Sequence, residues 1–111
     1  MGGMIKIPLW QWLPIFRWRI LGVVEAANDI PEKLPRNAVV LVGNLQRLKW
    51  LAFDCPCRTG HRIMVPLDRA AKPHWSIVRE APLTVSPSFD SRMKNMYCHF
   101  FIRNGRIEWA R

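Results

Sequence analysis

Asn104-Gly105 separates Cys98-His-Phe-Phe-Ile-Arg103 from Arg106-Ile-Glu-Trp109, and this dipeptide constrains the fold more than any other feature of the chain. Asparagine followed by glycine tolerates the positive φ angles of a type I′ turn, so the two flanking runs are predicted to form a β-hairpin. The preceding residues read the same way. Ala38-Val-Val-Leu-Val42 is a short apolar strand closed by the turn signal Gly43-Asn44. Leu48, Trp50, Ala52 and Asp54 alternate with Lys49, Leu51 and Phe53, and His61-Arg-Ile-Met-Val65 follows as the natural hairpin partner, with Cys55-Pro-Cys57-Arg-Thr-Gly60 at the tip. His74-Trp-Ser-Ile-Val78 and Leu83-Thr-Val85 add two further strands, the second expected to stop at Pro87 because proline cannot donate to a central ladder.

Seven short strands, with no sustained helical period and no internal repeat, predict a mainly β fold: a small antiparallel sheet or sandwich. The 111 residues fit one domain, and half of them are hydrophobic, which is globular rather than disordered composition. Residues 1–37 are read as an aromatic lead-in and a linker marked by Pro31 and Pro35, and residues 38–111 as the β domain that carries the Cys/His cluster. Within the lead-in, a short helix or strand is expected, broken by Pro14; Trp10, Trp12, Phe16 and Trp18 are expected to cover the core rather than to form a docking patch. Two prolines and the early Arg17 and Arg19 argue against a signal peptide, and no apolar run reaches the ~20 residues that a membrane-spanning helix needs.

Lysine and arginine number 17 against 8 acids, a formal charge of +9. Such a surface attracts an acidic protein, a nucleic acid or anionic lipid, but the basic residues are dispersed, no run of five occurs, and no nucleic-acid-binding motif accompanies them. Nucleic acid is therefore a partner this reading allows without favouring, and no membrane association is expected.

The three cysteines are an odd number, and Cys55 and Cys57, one residue apart, are poorly placed to pair with each other. That usage fits a cytoplasmic chain whose thiols are free for a metal. Cys55, Cys57, His61 and Cys98 offer four ligands for a structural zinc that would staple the first hairpin to the last, although zinc knuckles usually separate their cysteines by two or more residues. Three buried, reduced thiols are the alternative reading. Ser88, just after Pro87, and His99, on the next strand, are candidates for a nucleophile and its base, with Asp90 or Asp54 as the orienting group. Taken alone, Ser86-Pro-Ser88 is equally an ordinary turn sequence.

From about Ile30 to Ala110 the chain resembles a family of small bacterial proteins encoded in ubiquitin-like conjugation operons and in phage-like neighbourhoods. The resemblance is carried by Ile30-Pro-Glu32, Cys55-Pro-Cys57, Gly60-His-Arg62, Pro66-Leu67, Trp75, Pro87-Ser88, His99-Phe100 and Gly105-Arg-Ile-Glu-Trp109. It implies a peptidase acting on a ubiquitin-like protein or its conjugates, an antiphage setting, Ser88 as nucleophile, His99 as base, and a metal site at Cys55 and Cys57 beside them. Trp75 and Phe100 would wall the cleft. Thr59 and Met96 stand where many members carry cysteine, and Cys98 where many carry serine, so the metal site is expected to be rebuilt around His61 and Cys98 or to be absent. The alternative is a non-catalytic, zinc-stabilised adaptor that holds a conjugation enzyme or nucleic acid.

Overall fold

The computed structural model of the protein describes residues 6–13, 15–57, 61–93 and 96–110, and of Met93 and Met96 the backbone alone. Among the described residues, eight strands are laid out in two four-stranded sheets. The first sheet contains β1 (Arg19–Val24), β2 (Ala38–Asn44), β3 (Arg47–Asp54) and β4 (Arg62–Pro66), and the second β5 (Ser76–Arg79), β6 (Thr84–Met93), β7 (Met96–Arg103) and β8 (Arg106–Trp109), each in sequence order across the sheet. Leu9–Trp12 and Ala27–Asp29 form short 3-10 turns, and no helix among the described residues is long and apolar enough to cross a membrane.

Why the two sheets face each other follows from the alternation of their strands. Leu51 and Phe53 of β3, Ile63 and Val65 of β4, Val85 and Phe89 of β6, and Phe100 and Ile102 of β7 are buried in one continuous core. Phe53 bridges the layers, with its ring 4.9 Å from Phe89 and 6.1 Å from Phe100 in edge-on geometry. Such contacts add to the area term in aromatic cores.

β2 differs from the other strands because Ala38 to Gly43 are all buried, as the unbroken apolar run Ala38–Val42 requires. Its inner residues Val39 and Leu41 join the main core, while Val40 and Val42 pack on the outer side with Val24, Leu34, Leu21, Ile30 and Ile7. The segment from Glu25 to Asn37 thus crosses over the first sheet and covers it. Because that crossover returns the chain to the same end, β1 runs parallel to β2 and is the exception in otherwise antiparallel sheets.

Two expectations are corrected here. The second sheet does not lose its strand at Pro87: β6 runs through it to Met93. Its pairing with β7 jumps from Val85↔Ile102 to Phe89↔Phe100, so Ser86, Pro87 and Ser88 oppose a single residue, and proline's missing N–H falls where the ladder is already interrupted. Trp18 is core as expected, but Trp10 and Trp12 are 56% and 41% exposed beside exposed Leu9 and Leu13. Pro14 lies outside the described residues. The terminal hairpin forms as predicted, with Asn104 at φ 52° and Gly105 at φ 73°.

Candidate active site and thiol cluster

Successive residues of a strand point to opposite faces, and Cys98-His99 therefore serves two different places. Cys98 points inward. Its thiol meets those of Cys55 and Cys57, which the tip of the β3–β4 hairpin brings over from the first sheet; the three sulfurs lie within 4.8 Å of one another. The tip is closed by the Cys55 N–H donating to the His61 carbonyl at 2.7 Å. His61 turns its Nδ1 to within 3.3 Å of the Cys57 sulfur and its Nε2 to within 3.0 Å of the Ser91 hydroxyl on β6. His61 thus adjoins the trio without belonging to the set of mutually close atoms. Thr59 lies outside the described residues.

The donor set fits a metal ion. Tetrahedral zinc thiolates hold their sulfurs about 3.8 Å apart, within the spread seen here, and an imidazole nitrogen stands next to the trio. Burial pushes the Cys55 thiol up to about 12 and raises Cys98 as well. Thiolates are costly in such surroundings unless a cation offsets their charge, so three close cysteines at this junction could hold a metal ion.

His99 points outward. Register pairs it with Asp90 of β6, and Ser88 lies two residues from Asp90 on the same face, which makes Ser88 a diagonal neighbour of His99 across the ladder. The Ser88 Oγ is 2.9 Å from His99 Nε2. The other ring nitrogen, Nδ1, is 3.4 Å from the Tyr97 hydroxyl. In the tautomer whose ring proton is on Nδ1, directed at the Tyr97 oxygen, Nε2 is the nitrogen able to accept the serine proton. On the far side of Ser88, the indole N–H of Trp75 donates to the Ser88 carbonyl at 3.3 Å, and a cleft of about 520 Å³ is lined by Pro73, Trp75, Pro87, Ser88, Asp90 and Arg92.

A family model described as the bacterial ubiquitination-like system serine protease (BubE) matches residues 26–110. The chain belongs to that family. No curated protein and no solved structure matches the chain. The BubE family description names a serine protease of a ubiquitination-like system, and in this member a serine and a histidine meet at hydrogen-bond distance on an exposed sheet face.

The orienting group is where sequence reasoning and structure part. Asp54 is in the other sheet, accepting from Arg62 Nε at 2.7 Å and from the Leu34 N–H at 3.2 Å. Arg62 also donates to the carbonyls of Pro31 and Glu32, so Asp54 and Arg62 tie the crossover to the hairpin. Asp90 stands opposite His99 but turns its carboxylate toward Arg92, 3.6 Å away. Tyr97 holds the position a carboxylate was expected to fill. The period-2 rule puts Tyr97 and His99 on one face, a signal carried by spacing and not by acidity. Ser91 meets His61 from the other sheet, a contact that no local pattern of the chain signals. Phe100, expected at the cleft, is fully buried in the core, whereas Trp75 does line the cleft.

Proposed function

We propose that the protein is a serine peptidase that processes the ubiquitin-like modifier of its pathway or removes it from conjugates. The observation that carries this reading is the 2.9 Å contact between Ser88 Oγ and His99 Nε2 on the open face of the second sheet. Ser88 Oγ attacks the carbonyl carbon at the modifier's C-terminal tail while its proton passes to His99 Nε2. The carbonyl oxygen takes the negative charge and is met by backbone N–H groups of the interrupted stretch around Ser88. Collapse of this intermediate expels the amine, which leaves with the proton from His99. Water, deprotonated by His99, then attacks the ester; the C–O bond to Ser88 breaks as Oγ takes that proton back from His99, and the free carboxylate departs. Tyr97, at Nδ1, keeps the ring in the tautomer that leaves Nε2 able to accept a proton. The net positive surface favours an acidic modifier as partner, and reduced thiols are consistent with a cytoplasmic setting.

Zinc is the proposed metal, held by Cys55, Cys57 and Cys98 with His61 beside them. It would supply a staple between the sheets and, since Cys98 and His99 face opposite sides of β7, would stand apart from the peptidase steps.

The test is cleavage of the pathway's ubiquitin-like precursor, read by mass spectrometry, with wild type beside Ser88→Ala and His99→Ala. Wild type should cut, and each variant should lose roughly 10³-fold or more. Cleavage by Ser88→Ala at the wild-type rate, or a folded wild type that leaves the precursor intact, overturns the reading. In the second case a zinc-stabilised adaptor takes its place. That reading is favoured by the exposed Leu9, Trp10, Trp12 and Leu13, which could dock a conjugation enzyme.

A further inference from the structure

β6 is ten residues long, but its neighbour β5 covers only the first part of it. Arg79, Ile77 and Ser76 pair with Thr84, Val85 and Ser86, and there the β5 ladder ends. From Phe89 to Met93, β6 pairs with β7 on one side, and among the described residues no strand occupies the other side of β6 beyond Ser86.

The register tells which main-chain groups face that open side. Arg103 pairs with Arg106 across the Asn104-Gly105 turn as a hydrogen-bonded pair. Along β7, Phe101 and His99 therefore also bond toward β8 while Cys98 and Phe100 bond toward β6, which makes Ser91↔Cys98 and Phe89↔Phe100 the hydrogen-bonded pairs of the β6–β7 ladder. Asp90↔His99 and Arg92↔Tyr97 are then the pairs whose N–H and C=O groups point outward. Two hydrogen bonds bear this out. The His99 carbonyl turns away from β6 to accept from the Ala110 N–H at 2.9 Å, and the Ser88 carbonyl turns away from β7 to accept from Trp75 at 3.3 Å. Asp90 and Arg92 therefore present main-chain donors and acceptors along an edge that begins at Ser88. The 520 Å³ cleft runs along this edge, walled by Pro73, Trp75 and Pro87.

We propose that this edge is the substrate cradle: an extended peptide adds to β6 as a strand in line with β5, hydrogen-bonded by main chain to Asp90 and Arg92, which brings its scissile carbonyl to Ser88. The inference rests on the peptidase reading and names its occupant, an unfolded tail of the modifier rather than a folded surface. Strand addition gives affinity through backbone bonds, and it needs an open edge with side-chain pockets beside it. The charges of Asp90 and Arg92 also suit the place, because a charged edge resists pairing with other sheets while a single strand can still reach it.

The experiment uses the full chain carrying Ser88→Ala, labelled for NMR, and a synthetic peptide with the C-terminal residues of the pathway's ubiquitin-like precursor. In the free protein the Asp90 and Arg92 amides should exchange with solvent quickly and those of Phe89 and Ser91 slowly. Saturation with peptide should slow Asp90 and Arg92 by about tenfold or more, the scale of one hydrogen bond. Single N-methylation along the peptide should weaken binding by about tenfold at alternate residues and leave the intervening ones within about twofold. A flat methylation scan, unchanged exchange at Asp90 and Arg92 in the bound state, or no binding overturns the proposal. If the peptide protects the edge but wild type does not cut it, the peptidase reading fails and the edge stands. If wild type cuts it without edge protection, the edge fails alone.

Discussion

Replacing Phe89 with alanine tests the link between the sandwich core and the candidate site above it. The ring is 1% exposed and lies against three others: Phe53 of the facing sheet at 4.9 Å, Phe100 at 5.4 Å and Trp75 at 6.0 Å. These neighbours are carried by three different segments, β3, β7 and the stretch before β5, so the gap cannot close by moving one of them. The cost should lie toward the upper part of the range of about 3–5 kcal/mol for Phe→Ala in a core. Against a total stability of about 5–15 kcal/mol that is a large fraction. For a chain of this size each kcal/mol moves the melting temperature by about 4 °C, so the upper part of that range, about 4–5 kcal/mol, corresponds to a fall of about 16–20 °C. Phe89→Leu keeps most of the volume and loses mainly the ring contacts, at about 1–2 kcal/mol. Urea unfolding followed by far-UV circular dichroism reads both. A loss below about 1 kcal/mol in the alanine variant, with an unchanged denaturant slope, would refute the packing argument. The leucine variant, still folded, should also lower peptidase activity, because the Trp75 ring that stacks on Phe89 holds the Ser88 carbonyl.

Tyr97→Phe should lower kcat about fivefold with KM unchanged, the size of one neutral hydrogen bond to the His99 ring; an unchanged kcat removes Tyr97 from the site. Stripping metal with a chelator should lower the melting temperature by about 10 °C or more, and elemental analysis of untreated protein should find one zinc per chain. A chelator that moves nothing argues against the staple. In the stripped protein, the unfolded Cys55 thiol ionises near its ordinary 9.0 whereas burial holds the folded one protonated up to about 12. The folded state then binds more protons than the unfolded across that interval, so stability should fall as pH rises from 9 toward 12, a slope that bound metal abolishes. Gly105→Ala forces a side chain into φ 73° with its Cβ 3.1 Å from the Arg17 Cβ, and should cost about 1–2 kcal/mol, or about 4–8 °C; an unshifted melting temperature contradicts the turn assignment.

Local signals determined a good part of this protein. Asn104-Gly105 fixes the last hairpin because few residues tolerate two successive positive φ angles. Alternation in Leu48–Asp54 and His61–Val65 yields the β3–β4 hairpin with the cysteines at its tip. The pairing of Ser88 with His99 was also legible as a candidate, since both residue types and their short separation are visible in the chain.

Tertiary structure decided everything that depends on register and on which segments share a layer. Pro87 reads as a strand end, yet β6 continues because the interruption lies in pairing between strands, a relation no local window contains. The parallel β1 and the burial of β2 on both faces come from a crossover whose irregular composition carries no period. The orienting group was out of reach for the same reason. Asp54 and Asp90 are equally acidic in sequence, and only their placement ties one to Arg62 in the far sheet, turns the other toward Arg92, and leaves Tyr97 at the His99 ring. Residue chemistry is a property of the chain, but hydrogen-bond geometry within a few tenths of an ångström is a property of packed strands, and that packing separates the thiol cluster from the serine on opposite faces of one sheet.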